Sequence, residues 1–150
     1  MTLEEGKVGL YACGITPYSA SHIGHARQAI SFDIIVRWLR KRGFEVNYIT
    51  NFTDVDDKII AAANEEGVDF LEISNRYIDD YFQSMDALNV IRADSYPRVT
   101  ETIPEIIEMV ESLIEKGNAY LAEDGVYFEI DTAPETVSYT HLTLPTMMSV

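Results

Sequence analysis

What this 150-residue chain has little of narrows it before any motif is read. It has one cysteine, Cys13, so it cannot form an internal disulfide. A lone cysteine suits a reducing compartment and is free to act as a ligand or nucleophile. No apolar run approaches the roughly 18 residues that a membrane helix needs. The start, Met1 to Lys7, is acidic and poor in apolar residues, unlike a secretory signal. The expected location is therefore the cytoplasm. Basic charge is also scarce, with 11 Lys and Arg against 25 Asp and Glu, a formal net charge of -14. Nucleic-acid binders usually present a basic face, because phosphate contacts dominate their affinity, and this chain as a whole does not. Its one basic cluster, Arg37, Arg40, Lys41 and Arg42, reads as a solvated helix end whose cations suit the C-terminal dipole.

What remains is ordinary for one globular domain: 47% hydrophobic and 24% charged residues, enough to bury a core. Lys7 to Ala12 is a short apolar run that fits a buried strand, followed by Gly14 and Pro17, which break regular structure. A helix is predicted from about Ile23 to Lys41, with Phe32, Ile35, Val36 and Leu39 on one face and Gly43 as its stop. Phe44 to Thr50 alternates as a strand. Strand, loop, helix and strand make a βαβ unit, the building block of parallel sheets. After a polar loop with Asp54, Asp56 and Asp57, helical patterns cover Asp57–Glu66, Phe70–Leu88 and Ile103–Glu115. Ala119–Ala122 and Val126–Ile130 flank Glu-Asp-Gly, a hairpin signal. From about Val137 the pattern stops, and residues 137–150 read as the translation of a sequencing adapter, a non-native tail.

The chemistry-bearing motif is His22-Ile23-Gly24-His25, at the predicted helix start. Backbone N–H groups and the helix dipole favour an anion there, and two imidazoles could donate to a triphosphate. A metal pair or two ordinary surface histidines fit the same residues. Cys13, at a strand end, is either a packed hydrophobe or a ligand. The three aspartates are better helix caps than a magnesium or calcium site, since no full calcium-loop spacing is present. Tyr77, Tyr81 and Phe82 lie at helical spacing and read as core rather than as a base-stacking platform.

Several ordered blocks over roughly residues 7–131 resemble class I aminoacyl-tRNA synthetases, and within them the cysteinyl family. These are Tyr11 to Thr16, His22 to Arg27, Phe32-Asp33, Asn51 to Ile60 and Pro97 to Glu101. The resemblance implies an α/β, Rossmann-like nucleotide-binding domain. Its first half would occupy residues 1–118 and the start of an inserted connective domain residues 119–136. It also implies a ligase that makes cysteinyl-adenylate from L-cysteine and ATP, with Mg2+, and passes the acyl group to tRNA-Cys. His22 and His25 would be catalytic. Gly14, Ile15, Thr16, His22, Gly24 and His25 would meet ATP or the adenylate, and Cys13, Gly14, Thr16, Asn51 and Thr53 the cysteine.

By the same resemblance Cys13 becomes a Zn2+ ligand that reads the substrate thiol, a preference a thiolate-loving metal supports. The family's other zinc ligands and its Lys-Met-Ser-Lys-Ser loop are not found here. The chain alone is therefore expected to be inactive, a weak zinc binder at best, and marginally stable, with tRNA contacts lying mainly elsewhere. Two rivals share the scaffold: the cysteine ligase of mycothiol synthesis and a non-catalytic nucleotide-fold module. A small-nucleotide adenylyltransferase would leave Cys13 and Asn51 to Ile60 unexplained.

Overall fold

The computed structural model describes residues 4–133, and the chain divides into two compact units after Thr102. In the first unit β1 (Lys7–Ile15), α1 (Ile23–Lys41) and β2 (Glu45–Phe52) form the expected βαβ unit, with β1 and β2 parallel. Val46, Tyr48, Thr50 and Phe52 are buried, so the alternation of β2 gives the sheet one committed face. Helix α1 lies on that sheet through Val36, which is fully buried, and through Phe32 and Leu39.

Ile35 departs from expectation. It is 44% exposed, while Ala26 and Ala29 are buried instead. The buried stripe runs 26, 29, 32, 36, 39, and a neighbour in sequence sits about 100° around the helix from it. The two alanines are small because Met85, Tyr81 and Val90 pack against them.

A third parallel run, which the sequence pattern does not announce, lies on the other side of β2. Ile49 bridges to Ser95 and Phe52 to Arg98, with Thr50 N donating to Ser95 O and Phe52 N to Pro97 O. Asp94 starts it. Its N–H donates to Tyr48 O at 2.8 Å, and its carboxylate accepts from Tyr48 N at 2.7 Å and pairs with Arg40. The basic cluster is thus partly structural: Arg40 reaches Asp94, and Arg37 reaches Asp33 and Asn89 O.

Helices α2 (Asp57–Glu66) and α3 (Phe70–Ala87) pack through Ile59, Ala63 and Ile73. Asp56 and Asp69 cap their starts, each accepting from an N–H two residues on, and Gly67 ends α2 at φ +70°. Tyr81, Phe82 and Tyr96 close around Phe52 as an aromatic cluster, and Tyr77 packs between α2 and α3, so these rings serve the core. Burial pushes the Tyr81 hydroxyl up to about 12.

In the second unit α4 (Ile103–Glu115) precedes the antiparallel hairpin of β3 (Ala119–Ala122) and β4 (Gly125–Phe128), then a short 3-10 turn at Ile130–Thr132. Pro104 sits in the first turn of α4, where its missing N–H costs nothing. No residue of α4 is buried, although Ile103, Ile106, Ile107 and Ile114 are apolar. The suspected tail, 137–150, lies outside the described residues. Among the described residues no helix is long and apolar enough to cross a membrane.

Candidate active site

The site begins at a defect in the sheet. Ala12 pairs with Thr50 and Ile15 with Phe52, so three steps on β1 face two on β2. The extra residue makes a bulge at Cys13-Gly14, and bulges re-aim side chains. Cys13 is exposed, which rules out its packed reading. Gly14 has a steric reason to be glycine: a Cβ there would lie 1.5 Å from the carbonyl oxygen of Asn51. That same residue satisfies the bulge. Asn51 Oδ1 accepts from Gly14 N at 2.8 Å and from the Tyr11 hydroxyl at 3.0 Å. Its Nδ2 donates to Thr53 Oγ1 at 3.4 Å, and Thr53 N donates to Ile15 O. Asn51 therefore braces the two strand ends, and its oxygen is fully engaged. The side chain of Ile15 is buried against Phe52 and Ile78, leaving only its backbone to a ligand. Thr16 follows in the loop, half-buried.

From that loop the chain enters α1. His22 is the N-cap, with its Nδ1 accepting from Gly24 N at 3.1 Å, and His25 Nδ1 accepts from His22 N at 3.3 Å. This is a reciprocal capping box made of two histidines. The rings stack with centroids 3.8 Å apart. A nitrogen that accepts cannot carry the proton, so each neutral ring holds it on Nε2. The pair thus offers two Nε2–H donors at a helix start, where the dipole already favours an anion. Burial, and then the neighbouring imidazole of His22, lower the pKa of His25, which favours its neutral form. A side chain on Gly24 would press on the His22 ring, 2.8 Å from Cε1.

Cys13, Gly14, Ile15 and His25 line one cavity with Gln28, Thr50 and Tyr81; it measures about 10 Å3, room for one water. Sequence reasoning passed over Gln28, whose Nε2 donates to Cys13 O at 2.7 Å. Its place three residues after His25, one turn along the same helix, was the available signal. It also passed over Asp80, which accepts from Ser21 N at 2.8 Å. Nothing in the pattern of α3 distinguishes that aspartate.

The aspartate loop divides its work. Asp56 caps α2, as expected. Asp54 instead is wholly buried, accepting from Thr100 N at 3.0 Å and from Thr100 Oγ1. Among the described residues no group of three or more His, Cys, Asp or Glu could hold a metal. Cys13 alone does not make a zinc site.

The model of the tRNA synthetases class I (C) catalytic domain matches residues 1–147. The chain is 50% identical over 137 residues to a cysteine–tRNA ligase of Thermodesulfovibrio yellowstonii, covering 89% of this chain and 28% of that one. It is 54% identical over 132 residues to the ligase of Syntrophobacter fumaroxidans, covering 88% and 27%. For the ligase of Dehalococcoides mccartyi the figures are 50% over 147 residues, 98% and 32%. The chain thus spans about a third or less of these relatives' length. Among solved structures, a Mycobacterium tuberculosis methionyl-tRNA synthetase in complex with methionyl-adenylate superposes with a TM-score of 0.68 at 26% identity, covering 76% of this chain and 23% of that one. By its parallel βαβ unit, the histidine-capped helix at the sheet's C-terminal edge and these matches, the chain belongs to the class I (C) tRNA synthetase catalytic-domain family.

Proposed function

We propose that this chain supplies the ATP- and cysteine-facing part of a cysteine–tRNA ligase. The observation that carries the reading is the pair of Nε2–H donors at the start of α1, beside the cavity that Cys13 and His25 share. In the reaction a cysteine carboxylate oxygen bonds to the α-phosphorus of ATP as the bond to pyrophosphate breaks. A terminal ribose hydroxyl of tRNA-Cys then takes the acyl group, and AMP leaves. The histidines hold their donors where phosphate charge grows, and positioning does the rest. Gly14 lets the two strand ends approach and Gly24 leaves room for the His22 ring, while Thr16, Asn51 and Thr53 shape the rim.

ATP enters with Mg2+. A zinc at this site would select a thiolate substrate, but the described residues give it one ligand, so no step is assigned to it. Contacts to tRNA lie mainly in chain beyond these residues, consistent with the charge of -14. The relatives reported above are tRNA ligases, which favours this reading over an amino-sugar ligase. At its length this chain is expected to bind nucleotide without making adenylate.

Exchange of labelled pyrophosphate into ATP is the test, run on a protein that carries this chain at the full length of its relatives. Cysteine-dependent exchange, lost in His22→Ala and His25→Ala, supports the reading. Exchange that survives both substitutions refutes the histidines' role.

A further inference from the structure

The loop of residues 16–22 carries the chain from the bulge to the histidines without regular structure. Among the described residues, one hydrogen bond joins it to an element outside the loop and its helix: the Asp80 carboxylate of α3 accepting from Ser21 N at 2.8 Å. Ser21 directly precedes the N-cap. The N–H of Ser21 is held by Asp80, that of His22 by His25, and that of Gly24 by His22. The last two bonds fix the imidazoles to each other and to the helix start. Of these three bonds only the first reaches another element. Packing of Ala26 and Ala29 on Met85 of α3 and the bond from Gln28 to Cys13 O hold the body of the helix, but neither touches the chain just before the N-cap.

The choice of residue is informative. A carboxylate near a helix start that attracts anions opposes a phosphate there. Its negative charge does not serve such a ligand, whereas its lone pair serves the amide.

We propose that Asp80 is a positioning residue for the His22–His25 site: by holding the Ser21 amide it sets how the chain enters α1, and so where the two Nε2–H groups point. The role of this carboxylate is to accept a hydrogen bond; its charge is incidental. Its bearing on ligand binding rests on the nucleotide reading above, but its effect on the imidazoles does not.

The test is NMR of the ligand-free chain, labelled with 15N, as wild type, Asp80→Ala and Asp80→Asn, followed by titration with ATP. In the wild type both rings should show an unprotonated Nδ1 and a protonated Nε2. Asp80→Ala should turn this pattern into a tautomer mixture. It should also speed exchange of the Ser21 amide by up to about tenfold, the scale of one ordinary hydrogen bond. Asp80→Asn keeps an acceptor oxygen without the charge. It should preserve the ring pattern and the slow amide, and bind ATP at least as well as wild type.

Unchanged rings and an unchanged Ser21 amide in Asp80→Ala overturn the proposal, as does an Asn variant that loses either signature. If Asp80→Ala does not fold, the Asn variant decides alone by the same two signatures. A wild type with the expected ring pattern that ignores ATP refutes the nucleotide reading and leaves the Asp80 assignment standing.

Discussion

Among the glycines of the first unit, Gly14 has the least room for an added methyl group. The added Cβ would fall 1.5 Å from Asn51 O, 2.6 Å from Asn51 C and 3.2 Å from Asn51 N. These are backbone atoms of the neighbouring strand, so no rotamer relieves the overlap. Ordinary contact needs about 3.5 Å, so the strand ends must part by about 2 Å. The parting strains the bonds from Gly14 N to Asn51 Oδ1 and from Thr53 N to Ile15 O, and the Ile15–Phe52 pairing with them. At about 1 kcal/mol for each hydrogen bond, plus overpacking of about 2 kcal/mol, the loss comes to about 4 kcal/mol. The lower chain entropy of unfolded alanine returns less than about 1 kcal/mol of this. Against a typical total of about 5–15 kcal/mol the loss is large. It corresponds to a fall in Tm of roughly 15–25 °C for a unit of this size. Thermal unfolding followed by circular dichroism measures it. A Gly14→Ala chain that melts within a few degrees of wild type would refute the close strand approach and with it the geometry of the bulge.

Other perturbations test separate parts of the structure. Asp54→Ala removes the buried carboxylate that two half-buried donors of Thr100 share and should cost about 2 kcal/mol in chemical denaturation, whereas Asp57→Ala, on the exposed first turn of α2, should cost under about 1 kcal/mol. Among the described residues the buried hydroxyl of Ser21 has no hydrogen-bond partner, so Ser21→Ala should be neutral or stabilising by up to about 1 kcal/mol in the same assay. Because folding lowers the pKa of His25 below its ordinary 6.5, the folded state binds this proton less readily than the unfolded one. Its contribution to stability is complete above pH 6.5 and is lost as pH falls below that value. His25→Gln should flatten that part of a stability–pH curve.

The βαβ unit was legible because β2 alternates and α1 carries an apolar stripe between clear stops. The third parallel run was not. It contains Pro97 and begins with Asp94, whose side chain takes the place of a backbone partner, so it lacks the β signature that alternation would give. Ile35 misled because periodicity defines a stripe but not its centre, and the centre was set by where α3 meets Ala26 and Ala29.

At the site, the histidine motif was readable, and so was the presence of a glycine after Cys13. The reason for that glycine was not, because it depends on a one-residue register offset that only strand pairing reveals. The same offset explains why Cys13 is exposed rather than packed. The aspartates of the polar loop look alike in sequence, yet one caps a helix and another lies buried under Thr100. Long-range partners such as Asp80 leave no local trace at all.

The most direct measurement is titration of the chain with ATP while the ring nitrogens of His22 and His25 are followed by NMR. Saturable shifts at both rings are the expected result, with the shift of the remaining His22 ring lost or weakened in His25→Ala while the fold stays intact. Rings that stay still up to about 10 mM ATP, where binding weaker than about 3 kcal/mol would be missed, would contradict the assignment of the helix start as the nucleotide site.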